Sequence, residues 1–236
     1  MIKYKRTDVL FMDVKKIAYI KTDFKEKFGI PRQSGRVEEL KGQIIFLPEY
    51  QNDESIRGLE NYSHIWLLFD FSLAHREDWS PTVRPPRLGG NKRIGVFASR
   101  SPFRPNPIGL SCVRIEKIEK TKDFGSVITV SGVDLLDGTP ILDIKPYIPY
   151  ADCKADATGS FAEQLKDYKI EVDFPDELIK TIPKEKRSAL IKCIAEDPRP
   201  SYQQDENKIY KMSYCDFDIH FKVANQTATV IKVEKI

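Results

Sequence analysis

Short segments in which apolar residues alternate with polar ones, or run together, recur along this chain and predict β-strands. The segments cover residues 17–22, 43–47, 64–71, 112–120, 125–136, 168–174, 216–223 and 227–233. No amphipathic segment of helix length separates the strands in the first part of the chain, which argues against a doubly wound sheet with alternating helices. The pattern therefore predicts a mainly β first part, built as a barrel or a sandwich.

The pattern changes near residues 153–164, where small and polar residues predict a linker or a mobile loop. Beyond this stretch, apolar residues recur between 189 and 194 with the spacing of one face of a helix. Two alternating strands then close the chain. We therefore expect two domains, a β domain over residues 1–159 and a smaller α+β domain over residues 160–236.

Composition supports an ordinary soluble protein of 236 residues, with 41% hydrophobic residues, 31% charged residues and a net charge of +3. Residues 1–11 lack the apolar core of a signal peptide, and the apolar run 65–69 is too short to span a membrane. We expect a cytoplasmic protein. The four cysteines have no C-x-x-C spacing, which predicts reduced, mostly buried thiols and no structural metal.

One segment, residues 84–104, concentrates positive charge. It contains no acidic residue and six cations: Arg84, Arg87, Lys92, Arg93, Arg100 and Arg104. Such a cluster suits a phosphate or carboxylate ligand, although a solvated basic loop would show the same pattern. The overlapping stretch 100–111 holds three prolines, which exclude a helix and an interior strand and predict a stiff loop. This loop is either a ligand-recognition element or an ordinary proline turn.

Two further segments carry polar groups beside rigid backbone. Arg32 and Gln33 lie between Pro31 and Gly35, where turn amides and a guanidinium could bind an anion. Within residues 134–152, Asp134, Asp137 and Asp143 could bind ribose hydroxyls or a cation, and Lys145 and Tyr147 could be donors or a proton relay, unless these residues only form turns.

Several familiar catalytic patterns are missing from the sequence. There is no glycine-rich phosphate loop, dinucleotide fingerprint, nucleophile elbow or zinc-binding H-E-x-x-H. Nucleotide hydrolysis and dinucleotide redox chemistry therefore lose support. His64, at the start of a predicted strand, is either a structural histidine or part of a site.

The motifs "IPRQSG", "SHIWLLF", "VRPPRLGGNKRIGVFASRSPFRPNPIGLS", "DLLDGTPILDIKPYIPYAD" and "DPRPSY" together resemble the TsaA-like family, and within it the TrmO group of tRNA adenosine N6-methyltransferases. The resemblance runs from about residue 17 to residue 202. It implies a small single-sheet β-barrel that binds S-adenosylmethionine without a Rossmann fold, and a homodimer. It also implies N6-methylation of threonylcarbamoyladenosine beside the anticodon of threonine tRNA.

The resemblance also assigns residues. The implied cofactor-binding residues are Pro31, Arg32, Gln33, Ser63, His64, Arg100, Leu110, Asp134, Leu135, Leu136, Asp137, Gly138 and Thr139. Arg100 or Arg32 is expected to bind the methionine carboxylate.

The basic residues expected to contact tRNA are Lys92, Arg93, Arg104, Lys184, Lys186, Arg187 and Arg199. The clustering of Asp143, Lys145 and Tyr147 motivates the hypothesis that one of them assists the loss of the N6 proton. Two other readings stay open: a non-catalytic RNA- or nucleotide-binding module, and a methyltransferase for a different acceptor.

Overall fold

Short strands dominate residues 13–203 and 205–236, the part of the chain that the structure, a computed structural model, describes. The strands are β1 (Ala18–Lys21), β2 (Lys41–Phe46), β3 (His64–Asp70), β4 (Thr82–Val83), β5 (Ile94–Gly95), β6 (Ile108–Thr121), β7 (Gly125–Ser131), β8 (Pro140–Pro146), β9 (Glu171–Asp173), β10 (Tyr210–Tyr214), β11 (Phe217–Ala224) and β12 (Thr227–Lys235). The helices are α1 (Pro149–Asp152), α2 (Ser160–Glu163), α3 (Asp176–Ile179) and α4 (Lys184–Ala195). The segment judged to lack a signal peptide, residues 1–11, lies outside the described residues.

Six antiparallel strands form a closed barrel in the order β1-β2-β7-β6-β3-β8, and β8 pairs back to β1 with Ile141 opposite Ala18. Strand β3 shows how the sequence builds it. Ile65, Leu67 and Phe69 are buried in the barrel, and the residues between them are half-exposed on its outer face. The prediction of a mainly β first part is confirmed.

Prolines account for two differences between the structure and the sequence prediction. Strand β8 is not predicted by the pattern, since Pro140 and Pro146 look like turn residues. Both stand at the ends of the strand, where a missing N–H group is tolerated. The stiff loop predicted over 100–111 likewise ends at Pro107, and Ile108 begins β6 immediately after it.

Strand β6 changes its neighbours along its length. Residues 108–114 pair with β3, whereas pairing with β7 begins only at Arg114, opposite Ser131. The first half of β6 therefore has one edge without a partner strand. After β7 the chain turns away at Gly132, whose φ is +73°, and its carbonyl accepts a hydrogen bond from the Gly35 N–H group. Two loops, 30–35 and 132–139, thereby reach the open edge.

The second part of the chain is a four-stranded sheet in the order β10-β11-β12-β9, with helix α4 packed beside it. The predicted apolar helix face is correct: Ala189, Leu190, Cys193 and Ile194 of α4 are buried. The predicted final hairpin is also present. Asn225 and Gln226, both with positive φ, form the turn between β11 and β12.

The two parts of the chain share one hydrophobic core. The Phe24 ring meets Tyr214 edge-on at 5.4 Å between centroids, and Phe28 stacks on Tyr210 at 6.2 Å. Gly29 is required at the same junction because a Cβ atom there would clash with Met212. The predicted division at residues 159/160 stays a prediction, and the structure shows extensive packing across it.

The cysteines are free thiols, but they are not mostly buried as predicted: Cys193 is buried, Cys112 and Cys215 are half-buried, and Cys153 is exposed. Across the described ranges, no helix is long and apolar enough to cross a membrane. Nor do His, Cys, Asp and Glu side chains gather there in a group of three or more that could hold a metal ion.

Candidate functional site

A cavity of about 530 Å³ lies at the open edge where β6 separates from β7. Its walls come from the ends of β3 and β6 and from the loops around residues 30–33, 99–104 and 134–139. It brings together nine of the predicted cofactor-binding residues: Pro31, Arg32, Gln33, Arg100, Leu110, Asp134, Leu135, Leu136 and Thr139. The volume falls within the roughly 300–1,000 Å³ typical of small-molecule sites.

Asp134 supplies negative charge to this cavity. Its Oδ1 atom accepts a hydrogen bond from the Ser111 hydroxyl at 2.6 Å. Burial raises the pKa of Asp134 to about 6, although hydrogen bonds from Ser111 and from backbone N–H groups, and the charge of Arg100, act to lower it. The carboxyl group is therefore mostly ionised at neutral pH, although its burial disfavours the charged form.

Arg100 and Arg32 supply positive charge to the same cavity. The Arg100 guanidinium donates to the Gln33 side-chain oxygen, and the Gln33 amide donates to the carbonyl of Arg32 at 2.6 Å. Arg32 in turn donates to the carbonyl of Arg199 at 3.2 Å. One cavity thus presents guanidinium groups and a carboxylate, an arrangement suited to a ligand that carries both signs of charge.

The open edge of β6 supplies backbone groups. The Cys112 N–H group points to this edge and donates to the Ser34 hydroxyl at 3.1 Å. Since alternate residues direct their backbone groups to the same edge, Leu110 presents its N–H and C=O groups toward the cavity. Gly109 lets the Phe69 ring lie against the strand, because a Cβ atom at residue 109 would clash with that ring.

Four predicted cofactor residues do not line the cavity. Ser63 and His64 are hydrogen-bonded to each other at 2.9 Å at the other end of β3. Asp137 and Gly138 form the turn before β8, where Asp137 accepts from the Thr22 N–H group and pairs with a lysine. The turn interpretation of this motif therefore describes Asp137 well.

Sequence reasoning missed several residues that line the cavity, among them Phe69 and Asp70. These two lie at the end of β3, the strand that His64 begins. Sequence reasoning therefore had to choose which end of this strand belongs to the site. The strand pairing is the signal that could have identified them. Phe69 lies opposite Gly109 and Asp70 lies opposite Ile108, at the start of β6 directly after the proline-rich loop.

The three predicted catalytic residues lie outside the cavity. Asp143 and Lys145 form an ion pair at 2.9 Å between largely exposed side chains of β8. The Tyr147 ring packs against Trp66 at 5.8 Å and His64 at 6.2 Å. The structure brings these three residues together on the outer face of the barrel, and none of them lines the cavity.

A second cavity of about 790 Å³ adjoins the first, and we call it the arginine groove. Both cavities share seven residues: Arg32, Gln33, Ala74, Ser99, Arg100, Pro102 and Arg104. The groove is also lined by Arg76, Arg84, Arg87 and Arg93 and by the aromatic residues Trp79, Phe103 and Phe161. A long basic surface therefore leads directly to the first cavity.

The predicted RNA-binding cations divide into two groups. Lys92, Arg93 and Lys184 are exposed, and Arg93 donates to the Thr82 hydroxyl at 3.0 Å. The others make contacts within the chain: Arg104 with the Ser99 carbonyl, Lys186 with Asp23, Arg187 with the carbonyls of Ile182 and Lys180, and Arg199 with Asp197. These internal contacts give the second group structural roles.

Asp197 is the centre of a polar junction between the two parts of the chain. It pairs with Arg199 at 2.8 Å and accepts from the Tyr168 hydroxyl at 3.0 Å. Burial alone would raise the pKa of Asp197, but Arg199, Tyr168 and Arg87 together hold it below its ordinary value. Arg87, a wall of the groove, also donates to the carbonyls of Glu196 and Asp197. The second part of the chain therefore fixes walls of both cavities.

Comparison with known proteins gives matches along most of the chain. A family model described as the tRNA-methyltransferase O N-terminal domain matches residues 19–153, and one described as the TrmO C-terminal domain matches residues 167–236. A protein of Escherichia coli (strain K12) named tRNA (adenine(37)-N6)-methyltransferase is 40% identical over 226 residues, covering 92% of this chain and 96% of that protein.

Two further matches extend the comparison. A Pseudomonas aeruginosa protein named putative S-adenosylmethionine-dependent methyltransferase RcsF is 41% identical over 216 residues, covering 88% of this chain and 91% of that protein. A crystal structure of TrmO from Pseudomonas aeruginosa superposes with a TM-score of 0.79 at 34% identity, covering 98% of this chain and all of that one. The similarity thus includes both parts of the fold.

Proposed function

The chain belongs to the TrmO family, as its sequence motifs indicated, and we propose that it is an S-adenosylmethionine-dependent tRNA methyltransferase. Its acceptor is N6 of threonylcarbamoyladenosine next to the anticodon of threonine tRNA. The observation that carries the proposal is the pairing of two adjoining cavities. One holds a carboxylate and guanidinium groups, and the other continues from it as a basic groove.

The first cavity fits the methyl donor. S-adenosylmethionine supplies an activated methyl group on a sulfonium sulfur, and its methionine part carries a carboxylate and an ammonium group. Arg100 or Arg32 binds the carboxylate, and Asp134 lies on the wall that suits the ammonium group. The free backbone groups of Leu110 suit the hydrogen-bonding edge of a purine.

The chain's contribution to the reaction is mainly alignment. Holding the acceptor nitrogen in line with the methyl carbon and sulfur can supply ~7–11 kcal/mol, whereas a general base adds ~10²–10⁴-fold. A catalytic triad or a nucleophilic cysteine is therefore unnecessary. The apolar walls at Phe69, Leu135 and Leu136 exclude water from the donor.

Within one chain, Asp143, Lys145 and Tyr147 do not reach the cavity, so a role in assisting the loss of the N6 proton requires a second copy. The proposed homodimer supports that role, because Ile108 and Leu110 expose apolar surface beside the cavity. Full turnover in variants of all three residues, with normal donor affinity, would remove them from the mechanism. The mass of the particle in solution, measured by light scattering, tests the dimer.

The arginine groove fits the acceptor RNA. Bases of a single-stranded loop are already unpaired, so an anticodon loop can present its adenosine to the first cavity without melting a duplex. Lys92 and Arg93 are the exposed cations expected to contact phosphates, and each contact steepens the dependence of binding on salt. This substrate also places the reaction in the cytoplasm, where tRNA is found.

The test is methyl transfer from labelled S-adenosylmethionine to total tRNA from cells with and without the threonylcarbamoyl modification. Label in the modified tRNA alone supports the proposal. The Arg100→Ala variant should lose donor affinity, whereas Arg57→Ala, which removes an exposed ion pair to Glu54, should not. Donor binding without label in either tRNA favours a different acceptor, and tRNA binding without donor binding favours a non-catalytic RNA-binding module.

A further inference from the structure

Aromatic side chains are exposed in and beside the arginine groove. The exposed aromatic residues of the described chain are Tyr62, Trp79, Phe97, Phe103, Tyr150 and Tyr202. Trp79, Phe97 and Phe103 occur within one stretch of 25 residues, with exposures of 53%, 74% and 40%. A group of large apolar rings exposed at a surface marks a binding site more often than a single exposed ring does.

Neighbouring groups hold two of these rings in place. The Arg76 guanidinium lies over Phe103 at 3.9 Å from the ring centroid, and Phe97 lies beside Trp79 at 6.2 Å with 31° between the ring planes. Both Trp79 and Phe103 line the groove. Each ring is thus supported by a neighbour and still exposes part of its surface to the groove.

The charge around these rings is mostly uncompensated. Among the described residues, the arginines that form ion pairs are Arg36, Arg57, Arg87, Arg114 and Arg199. Arg76, Arg84, Arg93, Arg100 and Arg104 line the groove without a carboxylate partner in that part of the chain, and only Glu77 and Asp78 add acidic groups. Flat aromatic faces beside guanidinium groups that have no carboxylate partner among the described residues match the bases and phosphates of single-stranded nucleic acid.

We propose that Trp79 and Phe103 are a stacking platform for the unpaired bases that flank the acceptor adenosine. This inference rests on the proposed function. Because the groove and the first cavity share a wall, an RNA loop that places one base in the cavity leaves its neighbours in the groove. Stacking needs no particular base, so the platform positions the loop, and other groups recognise its sequence.

Binding of an anticodon stem-loop, measured by fluorescence anisotropy, tests the platform. Trp79→Ala and Phe103→Ala should each weaken binding about 5- to 150-fold, and Trp79→Phe should restore most of it. The slope of log affinity against log salt should stay unchanged, because no phosphate contact is lost. Donor affinity should also be normal. Tyr150→Ala removes a ring that is 88% exposed outside the groove and serves as the matched control.

A second measurement tests Trp79 directly. The chain has two tryptophans, so the Trp66→Phe variant leaves Trp79 as its single indole fluorophore. Adding the stem-loop should quench this fluorescence. The platform alone would be overturned by three results together. The wild-type protein methylates tRNA, both alanine variants bind the stem-loop with unaltered affinity, and the stem-loop does not quench the Trp79 fluorescence. Absence of both donor binding and tRNA methylation in the wild type would overturn the proposed function and the platform with it.

Discussion

Replacing Asp134 by Asn is expected to stabilise the protein while weakening its site. Asn is uncharged and close in shape to Asp, and its side-chain oxygen can still accept the Ser111 hydrogen bond. The substitution therefore removes the charge of the carboxylate with little change in packing. The proposed ammonium partner of the donor is lost at the same time, so donor affinity should fall.

The magnitude follows from the pKa of Asp134, about 6 in the folded chain against an ordinary 3.8. A raised carboxyl pKa means that the folded state holds the proton more tightly than the unfolded state. The stabilising effect of this bound proton on the folded state is fully present below about pH 4 and is lost as the pH rises through 6. At about 1.4 kcal/mol per pKa unit, the loss is about 3 kcal/mol, an upper value because the residue keeps some solvent contact.

Urea unfolding of both proteins between pH 4 and pH 8 measures this difference. The Asn variant should be more stable by up to about 3 kcal/mol at pH 8, and the gap should close toward pH 4. Asp143→Asn is the matched control, since its half-exposed pair with Lys145 is worth only ~0–1 kcal/mol. An Asn variant that is less stable at pH 8, or a gap that widens in acid, would refute the reasoning.

Three further predictions concern other parts of the site. Gly109→Ala should lower the free energy of unfolding by ~1–3 kcal/mol in urea unfolding because its Cβ atom clashes with Phe69, and the same change made in a Phe69→Ala background should cost little. Asp197→Asn should cost ~3–5 kcal/mol at pH 7 in urea unfolding, and less as the pH falls below the usual range of a carboxyl group, because the folded pKa is depressed. Arg93→Ala should reduce the salt slope of tRNA binding by ~0.7, whereas Lys186→Ala should leave the slope unchanged and lower stability instead.

Most of the fold was predictable from hydrophobic alternation, but not where prolines interrupt it. Strands such as β3 and β11 alternate strongly because one face packs on a core, and the pattern records that burial. Strand β8 escaped prediction because its ends are prolines, and a proline at a strand end resembles one in a turn. Closure of the barrel depends on contacts between distant strands, which local patterns do not contain.

The site was predictable where residue type alone carries the chemistry. Arg100 and Asp134 are charged groups beside rigid backbone, and they do meet in one cavity. The sequence alone could not distinguish His64 and Tyr147 from residues that line the cavity. The tertiary fold decides which end of a strand faces the cavity. The open edge of β6 could likewise not be predicted from the sequence, because it depends on the residue at which β6 begins to pair with β7.

The junction between the two parts of the chain has an evolutionary consequence. Arg32 and Arg87 hold the second part by its backbone carbonyls, at residues 199, 196 and 197. A carbonyl is present whatever side chain the position carries, so these contacts tolerate substitution. Away from side-chain pairs such as that of Arg87 with Asp197, the second part can therefore diverge in sequence while the donor cavity keeps its walls. Chimaeras that exchange this part between family members should retain donor binding.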